Sequence, residues 1–268
     1  MNQPLVNALV LTGFGINCEL ETAQALRVAG AEPRLVHLND LVNDPGLLDT
    51  VQVFAIPGGF SFGDDVASGK ILANRLRFKL GDPLKRFVEA GNLAIGICNG
   101  FQVMVKMGIL PLFDGDLVQE VTVTHNNSSR FEDRWVNLRV NPASPCVWTK
   151  DIDTIELPIR HGEGKFLARG PEVLERLHNM DQVALTYAQV DGGPARGAYP
   201  ANPNGSVDDI AGICDPSGRV FGLMPHPECH MYRENHPRWT REERPAEGAG
   251  LRVFRNAVAY VKSELLTA

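Results

Sequence analysis

The chain has 268 residues, a formal net charge of −6 and no clustered run of Lys and Arg. This charge pattern argues against nucleic acid or an anionic membrane surface as a partner. Hydrophobic residues make up 44% and charged residues 22% of the chain, as in ordinary globular proteins, and its apolar stretches are too short to span a membrane. With no low-complexity linker, this length predicts a single domain over residues 1–268.

The five cysteines are odd in number and include no Cys-X-X-Cys pair. Unpaired cysteines are typical of a reducing compartment. The N-terminus lacks a basic region followed by an apolar segment, so no secretory signal is expected. These two features predict a cytoplasmic protein.

In chain order, the first half alternates strand-like and helix-like segments. Such alternation is typical of a parallel sheet covered by helices. The sequence therefore predicts an α/β fold with an open, mostly parallel sheet and helices on both faces. Strands are predicted over residues 6–11, 33–37, 51–56 and 93–97, and helices over 19–29, over a segment that ends at 84–90, and over 101–107.

After Pro111 the pattern changes to strand-like runs at residues 117–124, 134–140 and 154–160. These runs predict an antiparallel extension of the sheet before its last strands. A further strand is predicted over 219–223. A helix over 249–264 is expected to pack back over one face of the fold.

The segment Gly96-Ile97-Cys98-Asn99-Gly100 joins a predicted strand to a predicted helix through a tight turn. Such an elbow lifts the Cys98 side chain out of the sheet into solvent, and the N-terminus of the helix favours the thiolate. The two glycines give the backbone room to turn. Although most cysteines are small buried hydrophobic residues, this arrangement predicts a nucleophile.

A base follows another apolar strand far downstream, in Met224-Pro225-His226-Pro227-Glu228. Residues two apart in extended or proline-restricted backbone point the same way, so Glu228 can hydrogen-bond the His226 ring and hold the tautomer that faces Cys98. A lone histidine is more often an ordinary surface or core residue. Both segments, however, follow strands at the edge where open α/β sheets place their sites, and together they predict a Cys-His-Glu triad.

Two glycine-rich segments are not expected to bind nucleotides. In residues 13–18, Cys18 takes the place of the third glycine of a dinucleotide-binding motif. In residues 63–70, the glycine spacing is one residue too long for a phosphate loop, and Ile71 replaces the Ser or Thr that would hold magnesium. The chain is therefore expected to carry no cofactor of its own.

A zinc site formed by His226, Cys229, His230 and His236 is a further hypothesis, since His and Cys are preferred zinc ligands. The spacing is poor, and no second Cys or His pair stands elsewhere in the sequence. A closed zinc site needs four converging ligands. We therefore expect no metal site.

The triad and the motifs around it resemble the class I glutamine amidotransferases and, more specifically, the glutaminase subunits of the purine-pathway phosphoribosylformylglycinamidine synthases. The first resemblance implies a flavodoxin-like, three-layer fold. The second extends from residue 13 to the C-terminal helix. Cys229 departs from it, because an Arg often follows the Glu there, and the polar stretch 233–248, which resembles longer versions of the family, has no assigned role. The motifs are TGFGINCE at 12–19, PGGFSFGD at 57–64, GICNGFQ at 96–102, residues 127–135, PIRHGEG at 158–164 and NPNGS at 202–206.

The reaction that this resemblance implies is the hydrolysis of glutamine to glutamate and ammonia. The Cys98 thiolate attacks the side-chain carboxamide, and His226 protonates the leaving ammonia and then activates water. The backbone N–H groups of Gly59 and Asn99, in turns after two neighbouring strands, are expected to stabilise the oxyanion.

Four residues are expected to bind the substrate: Gln102, Gly58, Arg130 and His161. Gln102 lies one helical turn after the nucleophile and so faces the same side, and the family pattern favours a substrate contact. Spacing alone fits an exposed helix residue equally well. A plain turn explains His161 and the nearby Glu163 equally well.

Ammonia freed in water would be protonated, so we expect it to pass through protein to a partner. The resemblance implies a large synthetase subunit that binds ATP, Mg²⁺ and formylglycinamide ribonucleotide, often with a small accessory subunit. Residues 61–70 are expected to form a loop near the site that responds to this partner. Two alternatives are a glutaminase that serves a different synthetase and a non-catalytic regulatory subunit.

Overall fold

A computed structural model describes residues 5–267 of the chain. Within this range the strands are β1 (Val6–Thr12), β2 (Ala31–His37), β3 (Val53–Ile56), β4 (Leu93–Ile97), β5 (Val121–Thr124), β6 (Glu132–Val140), β7 (Thr154–His161), β8 (Lys165–Ala168), β9 (Val183–Ala188), β10 (Ile210–Cys214) and β11 (Val220–Leu223). The helices are α1 (Glu19–Ala29), α2 (Leu38–Asn43), α3 (Lys70–Glu89), α4 (Asn99–Met107), α5 (Pro171–Asn179) and α6 (Leu251–Tyr260).

The main sheet of the described range has nine strands in the order β2-β1-β3-β4-β11-β10-β9-β6-β7. The half from β2 to β11 is parallel, and the half from β11 to β7 is antiparallel. In register, Gly96 of β4 lies beside Ile56 of β3 and Gly222 of β11. Strands β5 and β8 form a separate antiparallel pair.

Helices cover both faces of the parallel half. Helix α1 links β1 to β2 and α3 links β3 to β4, in opposite directions along the sheet. Because such crossovers are right-handed, these two helices lie on opposite faces. Helix α1 packs against α6, and α3 packs against α4. Strands β3 and β4 are buried throughout, as expected of strands covered on both faces. The predicted α/β fold is confirmed.

The antiparallel region differs from its prediction in detail. The runs at 134–140 and 154–160 form β6 and β7 at one end of the main sheet. The run at 117–124 is a strand only over Val121–Thr124, and it pairs with β8 and does not extend the main sheet. The elements β8, α5, β9 and β10 were not predicted, and β9 and β10 join the antiparallel edge to β11.

Helix α3 is much longer than the predicted segment, because it begins at Lys70. Gly81 and Pro83 lie inside it, and both residue types are poor formers of helix interiors. Its apolar face outweighs these local preferences, because tertiary packing supplies most helix stability. The C-terminal helix begins at Leu251 and ends in a π-helical turn, Val261–Leu265. The buried residues of α3 include Leu72, Leu76, Leu80 and Leu84.

The carboxyl ends of β3, β4 and β11 lie side by side, so the segments that follow them meet at one edge of the sheet. No helix of the described range is long and apolar enough to cross a membrane. The single-domain assignment stays a prediction, and residues 1–4 and 268 of its range lie outside the described residues.

Candidate active site

Cys98 forms the predicted elbow between β4 and α4. Its backbone has φ 51° and ψ −105°, a strained conformation for a residue other than glycine. Its N–H donates to the carbonyl of Leu223, at the end of β11, at 2.8 Å. A Cβ on Gly100 would lie 1.8 Å from the carbonyl oxygen of Ile56, so the turn requires glycine there. Cys98 is 5% exposed, so the expected exposure of its side chain to solvent is wrong. Strand β7 covers this side chain, and the Cys98 Sγ lies 3.7 Å from the carbonyl oxygen of Arg160.

His226 and Glu228 form a hydrogen-bonded pair in the interior. His226 Nδ1 lies 2.6 Å from Glu228 Oε1, and the two residues are 2% and 0% exposed. The backbone N–H of His226 donates to the carbonyl of Pro158 on β7 at 2.8 Å. The chain therefore holds the imidazole from two sides, through its ring and through its backbone.

The electrostatics of His226 favour its protonated form. Burial alone would lower the pKa of His226, but the Glu228 carboxylate and the charge on Cys98 reverse this effect and raise the pKa well above its ordinary value. Glu228 occupies Nδ1, which leaves Nε2 as the second ring nitrogen. Nε2 is buried and has no hydrogen-bond partner among residues 5–267.

The two residues expected to supply the oxyanion hole follow adjacent strands. Asn99 is the first residue of α4, where backbone N–H groups have no partner within the helix. Gly59 follows β3 at φ 153°, and a Cβ there would lie 2.6 Å from the carbonyl oxygen of Gly15. The placement is compatible with two converging N–H groups, and the oxyanion role stays a prediction.

Gln102 is 3% exposed, so the alternative of an exposed helix residue is wrong. Its Nε2 donates to the carbonyl of Glu163 at 2.5 Å, and its Oε1 accepts from Asn99 Nδ2 at 2.9 Å. The carboxamide is therefore held inside the protein, between the first turn of α4 and the turn after β7. A substrate contact by Gln102 stays a prediction.

His161, at the end of β7, is buried beside the triad. Burial and the charge on His226 lower the pKa of His161 to about 3, so its ring is neutral. Its Nδ1 lies 3.2 Å from Asn126 Oδ1, and its Nε2 has no partner within the described part of the chain. A Cβ on Gly164 would lie 2.1 Å from the ring. The tight turn therefore packs directly on His161.

The other two predicted substrate residues are placed differently. A Cβ on Gly58 would lie 2.8 Å from His226 Cε1, so this glycine makes space for the His226 imidazole. Arg130 is exposed in the turn between β5 and β6, and its carbonyl accepts from Asn126 Nδ2 at 2.8 Å. Its substrate role stays a prediction.

The predicted loop 61–70 does lie near the site. It includes a short 3₁₀ turn, Ser61–Asp64, and leads into α3. The Ser68 N–H donates to the Glu163 carboxylate at 3.4 Å, and the Ser68 carbonyl accepts from Lys106 Nζ at 2.6 Å. Burial lowers the pKa of Lys106 and raises that of Asp64.

Sequence reasoning missed Lys106, although a signal was present. Lys106 lies four residues after Gln102 on α4, so the two share one helix face. A lysine in a helix whose residues are all buried requires buried acceptors, and it finds them in the carbonyls of Ser68 and Val123.

The zinc hypothesis fails in its original form. His230 Nδ1 lies 3.0 Å from the carbonyl oxygen of Glu156, and His236 Nε2 lies 3.2 Å from its carboxylate. Both rings contact Trp135. Among the described residues, the potential ligands that do converge with His226 are Cys18 and Glu228.

The polar stretch 233–248 packs against β7 through one carboxylate. Glu156 forms ion pairs with Arg238 at 3.2 Å and with Arg244 at 3.1 Å, in addition to its contact with His236. Glu156 is two residues before Pro158, whose carbonyl holds the backbone of His226. The stretch therefore supports the strand that anchors the imidazole.

The site thus combines a strained cysteine at a helix N-terminus with a buried His-Glu pair, at the carboxyl edge of a mostly parallel sheet. The sequence matches the CobB/CobQ-like glutamine amidotransferase domain over residues 5–261, and the chain belongs to this family of glutamine amidotransferases.

Its more specific relatives are subunits of one synthase. The chain is 49% identical over 259 residues to the phosphoribosylformylglycinamidine synthase subunit PurQ of Dehalococcoides mccartyi, covering 96% of this chain and 98% of that one. It is 42% identical over 263 residues to PurQ of Methanococcus maripaludis, covering 94% and 96% of the two chains. These similarities confirm the predicted resemblance.

A solved structure shares the fold. It is described as PurLQS from Thermotoga maritima, and its matching chain has a TM-score of 0.70 and 29% sequence identity, covering 96% of this chain and all of that one. The predicted class I glutamine amidotransferase fold is thereby confirmed.

Proposed function

We propose that the chain hydrolyses glutamine through Cys98, His226 and Glu228 and is the glutaminase subunit of a phosphoribosylformylglycinamidine synthase. The observation that carries this proposal is the buried 2.6 Å hydrogen bond between His226 and Glu228, next to the strained Cys98 elbow. A buried histidine that is oriented by a carboxylate and unpaired at its other nitrogen is suited to proton transfer with a nucleophile.

The reaction takes place in two stages. The Cys98 thiolate attacks the carboxamide carbon, and the negative charge moves to the carbonyl oxygen, where the N–H groups of Gly59 and Asn99 stabilise it. His226 then protonates the leaving nitrogen, the C–N bond breaks, and ammonia departs to leave a glutamyl thioester.

In the second stage, His226 removes a proton from water, and the resulting hydroxide attacks the thioester carbonyl. The C–S bond breaks, glutamate leaves, and Cys98 returns to its thiolate form beside protonated His226. Glu228 takes no proton. It keeps Nδ1 of His226 occupied and stabilises the imidazolium that each stage uses.

The proposed partners are a large synthetase subunit, which would bind ATP, Mg²⁺ and formylglycinamide ribonucleotide, and a small accessory subunit. The names of the curated relatives and the PurLQS structure support this assignment. The loop 61–70 is suited to respond to such a partner, because it is joined to the Gln102 region through Glu163. The chain itself would carry no cofactor, and a cytoplasmic location agrees with this role.

Glutamate release from glutamine tests the proposal. The purified chain is assayed alone and then with a synthetase subunit, ATP and formylglycinamide ribonucleotide. We expect release that rises on assembly and is lost in Cys98→Ala, whereas Cys146→Ala, which removes a buried thiol outside the site, retains it. Release indifferent to this partner would indicate a different synthetase, and no release in either condition would indicate a non-catalytic subunit.

A further inference from the structure

The Cys18 thiol lies beside the imidazole of His226. Cys18 immediately precedes α1, and its side chain is half-buried. A Cβ on Gly58 would lie 3.3 Å from Cys18 Sγ and 2.8 Å from His226 Cε1, so the missing Cβ opens a direct approach between thiol and ring.

These side chains form a set of potential metal ligands. One ligand atom each from Cys18, His226 and Glu228 lie within 4.8 Å of one another. Glu228 is 0% exposed, and its Oε2 has no hydrogen-bond partner within residues 5–267. Cys, His and carboxylate groups are the ligands that zinc uses in proteins.

We propose that Cys18, His226 and Glu228 bind a thiophilic divalent cation such as Zn²⁺, and that this binding stops glutamine hydrolysis. The inhibitory part rests on the proposed function. The cation is an inhibitor here and not a cofactor, because it occupies the histidine and the carboxylate that the reaction needs.

The chemistry of binding is straightforward. A tetrahedral zinc ion places its ligand atoms about 3.5 Å apart, so the side chains must close by about 1 Å, and the His226–Glu228 hydrogen bond must open. The Cys18 thiol loses its proton on binding, and this proton passes to solvent.

The catalytic thiol is the main competitor for the same metal. A cation held by Cys98 and Nε2 of His226 would also inhibit. The two sites differ in which sulfur they use, and this difference is measurable without any assay of activity.

Co²⁺ serves as the spectroscopic probe, because a thiolate bound to it gives a charge-transfer absorption. The full chain is freed of metals with a chelator and titrated with Co²⁺. We expect the absorption in the wild-type protein and in Cys98→Ser, and its loss in Cys18→Ser. Circular dichroism confirms that each variant is folded.

Zinc inhibition provides the second measurement. Glutamate release is measured with increasing Zn²⁺ in the wild-type protein and in Cys18→Ser. We expect Cys18→Ser to need at least about ten times more Zn²⁺ for half-inhibition, since loss of a ligand weakens metal binding by at least this factor. Addition of a chelator should restore the wild-type activity.

The proposal is overturned if the wild-type chain shows no thiolate-to-Co²⁺ absorption, or if that absorption survives in Cys18→Ser. It is also overturned if Cys98→Ser alone abolishes the absorption, because the catalytic thiol then holds the metal. If no condition gives glutamate release but the Co²⁺ signal depends on Cys18, the proposed function fails while the metal site stands.

Discussion

Gln102 donates a 2.5 Å hydrogen bond to the main-chain carbonyl of Glu163. The Glu163 carboxylate in turn accepts from the Ser68 N–H, so one residue joins the predicted substrate contact to the loop 61–70. Lys106 also holds this loop, by donating a hydrogen bond to the Ser68 carbonyl. A movement of the loop would therefore change the environment of Gln102.

Removing the Lys106 ammonium should loosen this connection. Lys106→Met leaves the carbonyls of Ser68 and Val123 without their donor. We expect glutamine binding to weaken by about 1 kcal/mol, which raises the KM for glutamine about fivefold. Steady-state kinetics and hydrogen exchange in residues 61–69 would measure the effect. Lys79→Met, on the exposed side of α3, is the control. An unchanged KM together with unchanged exchange would contradict the proposed coupling.

Replacing Glu228 should reduce catalysis by His226 while its imidazole stays in place. Glu228→Gln takes away the carboxylate that raises the pKa of His226, so that pKa falls and the imidazolium is less stable. We expect kcat to drop by about 100-fold or more, with a smaller change in KM. NMR titration of the His226 ring would check the direction of the shift. Near-normal kcat would exclude an orienting role for Glu228.

The neutral state of His161 predicts acid sensitivity. Its folded pKa of about 3 lies below the unfolded value of about 6.5, so the unfolded state takes up a proton first as the pH falls. From about pH 7.5 to about pH 5, this residue should reduce the free energy of unfolding by about 2 kcal/mol. Denaturant unfolding of the wild type and of His161→Gln would measure it. Equal pH slopes in the two proteins would argue against a buried, neutral His161.

The elbow should tolerate no side chain at residue 100. Gly100→Ala places a Cβ 1.8 Å from the carbonyl oxygen of Ile56, so β3 and α4 would have to separate. We expect a loss of about 3 kcal/mol or more, or failure to fold. Gly197→Ala is the matched control, since no atom lies within 4 Å of its added Cβ and its positive φ costs only about 1 kcal/mol. Thermal unfolding of both variants would decide, and equal stabilities would be inconsistent with this geometry.

The Glu156 ion pairs should hold the stretch 233–248 in place. The pairs from His236 and Arg244 outweigh burial and lower the pKa of Glu156, so their contribution is present at neutral pH and is lost as acid protonates the carboxylate. Glu156→Gln should cost about 1–3 kcal/mol and increase proteolysis within 233–248. Glu234→Gln, which removes an exposed pair, should have little effect. Similar proteolysis of both variants would show that the stretch is held by other contacts.

Local patterns were sufficient to predict the parallel half of the fold. The helix over 19–29 and the strand over 93–97 were predicted with their observed limits, because each has strong periodicity and clear turn residues at its ends. Strands β9 and β10 were missed because short apolar runs fit several structures equally well. Most of helix α3 was not predicted, because its internal Gly81 and Pro83 are poor helix formers even though packing favours the helix.

The candidate triad could be located because its members lie in local motifs with recognisable geometry. The environment of the site could not be predicted from the sequence, since it depends on contacts between distant segments. The approach of Cys18 to His226, the burial of Gln102 and the support of β7 by residues 233–248 are all of this kind.

Strand β11 is the junction of the two halves of the sheet, and it leads directly to His226. During synthesis, Cys98 leaves the ribosome well before His226, its proposed proton acceptor. The thiol is therefore held in an elbow whose neighbouring strand is still missing, and it gains its proton acceptor only when β11 takes its place between β4 and β10. In the proposed mechanism, reactivity is thus tied to completion of the fold.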